Sequence, residues 1–99
     1  MATVTIVYWR DIPAQVIVRQ GRRTAKVQLS ERFEKAIDRA AMRGGARDTD
    51  AYLAEWRRTD PEACGDDLEA VAAARAAAVE AAYSDDRLKL LVDAHGRES

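Results

Sequence analysis

The hydrophobic period of this chain changes at Ser30, and that change constrains the fold more than any other feature. Before Ser30 apolar residues recur at every second position; after it they recur every third or fourth. Thr3 to Trp9 alternates as a half-buried strand, with Val4, Ile6 and Tyr8 expected on one face and Thr5, Val7 and Trp9 on the other. The run is rich in β-branched and aromatic residues, which fit a pleated surface. Arg10-Asp11-Ile12-Pro13 supplies a turn, because Pro13 lacks a backbone donor and keeps Ile12 out of helical geometry while Asp11 can bond its local backbone. A second strand is expected at Gln15 to Arg19. The glycine-containing connection Gly21-Arg22-Arg23 suits a hairpin, and Thr24 to Leu29 alternates again. Three strands joined by tight turns form an antiparallel β-meander.

Beyond Ser30 the pattern is helical. Ser30 is placed to cap a helix opened by Glu31, supported by the Glu31 to Lys35 pair and an apolar stripe of Phe33, Ile37, Ala40 and Ala41, and ended by Gly44-Gly45. A second helix is expected from Asp50 to Arg58, capped by Thr49 or Asp50, with Tyr52, Leu53 and Trp56 on one side and Asp60-Pro61 closing it. Asp66, three residues before Glu69, resembles a capping box opening an alanine-rich helix with Leu68, Val71, Val79 and Tyr83 as its large apolar groups. That helix has high intrinsic propensity and little to bury, which suits close approach to a neighbour. Ser84 caps a last helix from Asp85 to Ala94, with Gly96 after its end. The expectation is an α+β fold: a three-stranded antiparallel β-meander followed by three to four α-helices packed on the sheet. At 99 residues this reads as a single domain spanning 1–99, with the meander at 3–29 and the helical part at 30–95. Four helices crowd three strands, so the second sheet face is either covered by a helix or free for docking.

Charge is distributed unevenly. Sixteen Lys+Arg and seventeen Asp+Glu give a net of -1. Residues 1–47 carry ten basic and four acidic side chains, +6, and residues 48–99 carry six and thirteen, -7. The halves can neutralise each other within the fold or present a polarised surface to a partner.

Several function classes lose support on composition. No apolar run reaches the roughly 18 to 20 residues of a membrane span, and the amino-terminal stretch lacks a signal peptide's basic region, so the expectation is no membrane and a cytoplasmic location. The single cysteine, Cys64, precludes an intrachain disulfide. Cys64 and the single histidine, His95, are too few for the usual zinc sets, and the Asp66-Asp67 and Asp85-Asp86 pairs lack calcium-loop spacing. No cofactor or metal is therefore expected. There is no glycine-rich phosphate loop and no nucleophile motif, and no catalytic residue is assigned.

Candidate binding residues cluster at the predicted turns. Trp9, Arg10, Asp11 and Pro13 would form a recognition tip, since Trp and Arg are common energetic anchors of interfaces. Arg19, Arg22, Arg23 and Lys26, on or beside the second hairpin, would make a basic surface for an acidic protein partner. Nucleic acid is disfavoured by the acidic second half and by the lack of a recognised binding signature.

The stretch Trp9-Arg10-Asp11-Ile12-Pro13-Ala14-Gln15-Val16, with Gly21-Arg22-Arg23, Ser30-Glu31-Arg32-Phe33, Ala36-Ile37-Asp38 and Tyr52-Leu53-x-x-Trp56, resembles the small bacterial domain family labelled "virulence factor", over roughly residues 3 to 90. In longer relatives the domain is joined to helical-repeat and scaffold-like segments, which implies an adaptor. Stand-alone relatives are associated with folate and one-carbon enzymes, which implies a small accessory subunit. The resulting expectation is a non-catalytic protein-binding or accessory module whose partner is another protein or a second copy of the chain. The alternative is a small ligand-binding or enzymatic domain with a pocket near Tyr8, Arg10 and Asp11.

Overall fold

In the structure, a computed structural model describing residues 2–43 and 49–97, the element order is β1 (Ala2–Trp9), β2 (Ile12–Gln20), β3 (Arg23–Gln28), α1 (Glu31–Arg43), α2 (Thr49–Ala54), β4 (Trp56–Arg58), β5 (Glu62–Cys64), α3 (Leu68–Ala82) and α4 (Asp85–Asp93). The meander expected from the alternating half is present. β1, β2 and β3 pair antiparallel in the order β3-β2-β1, and β4 and β5 pair with the other edge of β1. The fold is α+β, with a five-stranded sheet and, among the described residues, four helices.

The second expected helix is the main correction. It stops at Ala54, and Trp56, Arg57 and Arg58 become a strand paired with Trp9, Tyr8 and Val7. The open edge of β1 explains this: its backbone groups need partners, and pairing there outweighs a helix with no long apolar stripe to bury. Leu53, expected on the packed side, is 58% exposed. The chain then returns along the same edge. Ile6 donates its N–H to Thr59 Oγ1 at 3.0 Å and accepts from the Thr59 N–H at 3.0 Å, bridging the gap before β5.

A second departure lies within β1. The pairing register shifts between Val7 and Tyr8, so strict alternation does not survive to the strand end. Below the shift Val4 and Ile6 meet Val18 and Val16 in the core; above it the core pair is Trp9 and Ile12. Trp9 therefore belongs to the face of Val4 and Ile6, opposite to the simple alternation.

The core lies between that face and the helices. α3 contributes Leu68, Ala72, Ala76 and Val79, α1 contributes Phe33, Ala36, Ile37, Ala40 and Ala41, and α4 contributes Leu88, Leu91 and Val92. α3 packs on β2 and β3, while α1 packs on β2 and on α4.

Local signals at the helix ends are only partly as expected. Ser84 caps α4 by accepting from the Arg87 N–H at 3.1 Å. Asp67, rather than Asp66, caps α3 by accepting from Ala70 N–H; Asp66 accepts from Gln20 Nε2. Ser30 does not cap α1 with its side chain, which donates to Glu80 Oε1 at 2.9 Å and so ties the start of α1 to α3. Gly44-Gly45, the expected end of α1, lies outside the described residues.

Candidate functional site: the open face of the sheet

The meander register decides which side chains share the face away from the helices. Arg19 lies opposite Thr3 on one side and Thr24 on the other, Ile17 lies between Thr5 and Lys26, and Val7 lies between Gln15 and Arg58. Their paired neighbours Val4, Ile6, Val16 and Val18 are on the core face, so strand alternation sends this set the other way. None of the helices that share the core lies over it. Val7 and Ile17 lie at the centre of this face but are themselves buried, at 8% and 4% exposed, so what the face presents is threonine hydroxyls and three cations. A cavity of about 290 Å³ on this face is lined by Thr3, Thr5, Ile17, Arg19, Arg58, Thr59 and Pro61.

Electrostatics set these cations apart from those held in ion pairs, although Arg39 and Lys89 on the helix side are also unpaired among the described residues. Three basic residues of the first half are neutralised by acidic residues of the second, in the pairs Arg10–Glu55, Arg32–Glu80, Arg32–Asp85 and Arg43–Asp93. By contrast, among the described residues Arg19, Arg22, Arg23, Lys26 and Arg58 make no side-chain hydrogen bond and no ion pair. The opposed charge of the halves is thus cancelled only in part inside the fold, and uncancelled cations stand on the open face and at the neighbouring β2–β3 turn, Gly21 and Arg22.

The expected recognition tip does not form. Trp9 and Pro13 are buried, so neither side chain is presented to a partner. Trp9 packs against Tyr52 with ring centroids 5.8 Å apart and donates its indole N–H to the Tyr52 carbonyl at 2.9 Å. Arg10, at φ 54°, starts the two-residue β1–β2 turn, where a positive φ matches the strand twist. Its guanidinium lies over the Trp9 ring, its Nη1 donates to the His95 carbonyl at 2.6 Å, and its Nε is 3.3 Å from Glu55 Oε2, misaligned for a hydrogen bond. Asp11 pairs with Arg57 Nη2 at 3.1 Å, and the Arg57 guanidinium covers the Tyr8 ring. Arg10, Asp11 and Tyr8 are therefore engaged in holding the hairpin to β4 and to the segment after α4.

Sequence reasoning places Thr5 and Val7 on this face but misses Arg58, which it carries in the second helix, and Thr3. It also misses two further concavities. A groove of about 350 Å³ between α1 and α4 is lined by Arg32, Lys35, Arg39, Arg43 and Lys89 together with Asp85 and Asp93. Its cations are mostly paired, with Glu31, Glu80, Asp85 and Asp93 as partners. A smaller pocket beside Tyr52 and Trp56 has two carboxylates at its mouth. Burial, then the Asp38 carboxylate, then that of Glu34 push the Tyr52 hydroxyl above its ordinary pKa. Among the described residues no group of three or more His, Cys, Asp or Glu side chains is gathered to hold a metal, and no helix is long and apolar enough to cross a membrane.

By architecture this is a two-layer α+β domain with its helices on one side of an antiparallel sheet. The sequence model of the family described as "Virulence factor" matches residues 7–92, and the chain belongs to that family. No curated protein and no solved structure matches the chain.

Proposed function

We propose that this domain is a non-catalytic binding module that docks an acidic protein surface onto the open face of its sheet. The observation that carries this reading is the set of cations left unpaired there, Arg19, Lys26 and Arg58, gathered on one face by strand register. Uncompensated surface cations steer an acidic partner and fix its orientation. Arg22 at the β2–β3 turn borders the same positive surface, whereas Arg23 lies on the other side of the sheet in a cavity lined also by Asp67 and Glu69. The proposal includes a bacterial, cytoplasmic setting. Following the family resemblance, it names an enzyme of folate and one-carbon metabolism as the partner class, with this chain as its small accessory subunit.

The test is co-purification from the native organism with a triple variant, Arg19→Glu, Lys26→Glu and Arg58→Glu. All three side chains are free of intramolecular ion pairs among the described residues, so the circular dichroism spectrum and melting temperature should stay unchanged while the partner is lost. Salt should weaken association of the unaltered protein by screening these charges. Undiminished recovery of the same partner by the triple variant overturns the docking face; recovery of a partner outside one-carbon metabolism overturns only the partner class.

A further inference from the structure

We infer that the pocket between α1, α2 and the strands β2 and β3 receives a lysine or arginine side chain presented by a partner protein. The pocket has a volume of about 230 Å³, with Leu29 and Ile37 in its lining. That is below the roughly 300 to 1,000 Å³ of sites that enclose a drug-sized molecule, and it suits one long side chain. Two aromatic walls stand edge to face: the rings of Tyr52 and Trp56 are 5.8 Å apart at 82°. Aromatic faces attract a cation through the ring quadrupole.

Glu34 and Asp38 complete the lining from one side of α1, one helical turn apart. Like charges at that spacing repel, and among the described residues neither carboxylate has an ion-pair or hydrogen-bond partner. Both act on the Tyr52 hydroxyl, which places their charge close to the aromatic wall. A pocket with two aromatic walls and two uncompensated carboxylates is complementary to an ammonium or guanidinium on an aliphatic stem, whose methylenes would lie on the apolar lining. This inference concerns the helix side of the molecule and does not rest on the sheet-face reading.

The test is titration of the intact, unaltered protein with three blocked tripeptides, Gly-Arg-Gly, Gly-Lys-Gly and Gly-Gln-Gly, and with n-butylammonium, following tryptophan fluorescence and the heat of binding. Saturable binding of the Arg or Lys peptide is expected, with none by the Gln peptide. The double variant Glu34→Gln, Asp38→Asn, altered only at exposed positions, should weaken it by about tenfold. The triple sheet-face variant should bind unchanged. Failure of both cationic peptides to bind, equal binding of the Gln peptide, or full binding by the double variant overturns the inference. Binding of n-butylammonium without either cationic peptide overturns the assignment to a protein side chain.

Discussion

The indole N–H of Trp9 donates to the Tyr52 carbonyl at 2.9 Å across 43 positions of sequence, and this single bond ties the end of β1 to the last turns of α2. It anchors the corner at which the chain leaves α2 and enters β4. Trp9→Ala is expected to lose about 3 to 5 kcal/mol of stability, the usual cost of emptying a buried aromatic site. Trp9→Phe keeps a ring but removes the shorter of two bonds to the Tyr52 carbonyl, which retains the Glu55 N–H at 3.3 Å, so the loss should be about 1 kcal/mol. Urea unfolding at equilibrium measures both, and a Trp9→Phe variant as stable as the parent would show that the hydrogen bond contributes nothing.

Gly96 and Gly21 separate two effects of a glycine. Both have positive φ, +87° and +59°. A Cβ at Gly96 would meet Trp9 Cζ3 at 3.0 Å and Arg10 Cδ at 3.3 Å, whereas one at Gly21 would meet nothing within 4 Å. Gly21→Ala should therefore cost only the backbone penalty, about 1 kcal/mol. Gly96→Ala adds displacement of a buried indole and should cost about 2 to 4 kcal/mol. Thermal unfolding of the two variants gives the ranking.

Thr59→Val should isolate the bond that bridges β4 and β5. Valine keeps the shape of the side chain and removes the acceptor for the Ile6 N–H, leaving a partly buried donor unsatisfied. The expected loss is about 1 to 3 kcal/mol. Amide hydrogen exchange should accelerate at Ile6 and Thr59 before it does at Val16 or Val18.

The acid limb of stability should depend on Glu80. Burial works against its carboxylate, but the Ser30 N–H and hydroxyl together with Arg32 outweigh it and hold its pKa below the ordinary 4.5. A group with a depressed folded pKa contributes stability fully above the unfolded value and loses it as pH falls through the folded one. Glu80→Gln should lower the melting temperature at pH 7 and narrow the difference between variant and parent as pH drops below 4.5. A constant difference from pH 7 to pH 3 would exclude the linkage.

What the sequence makes legible follows the length of each signal. The meander spans three alternating runs, α1 and α3 are long helical stripes, and all are recognisable before any coordinates. Trp56-Arg57-Arg58 is three residues long and carries no period of its own; only the unpaired edge of β1 makes it a strand. The register shift at Val7 and Tyr8 leaves no local mark either, and it moves Trp9 from a surface role to the core. The same limits apply to the site. Arg19 and Lys26 are placed on one face by strand parity alone, but Arg58 joins them only through the β1–β4 pairing. The pocket beside Tyr52 had a visible clue, two carboxylates four residues apart with no basic residue between them at helical spacing except Lys35, whose partner is Glu31.

The segment that follows α4 has a consequence for the order of assembly. His95, at φ 61°, and Gly96 close the helix by donating to the Val92 and Leu91 carbonyls, and the Gly96 carbonyl then accepts from the Asp11 N–H at 2.8 Å. The tip of the first hairpin thus takes one of its backbone partners from a residue 85 positions later. During synthesis that hairpin emerges early and stays incomplete until the ribosome has passed Gly96. Contacts of such long sequence separation slow folding, because the loop must close before they form. The backbone pairing of that tip is completed only by the segment that follows α4.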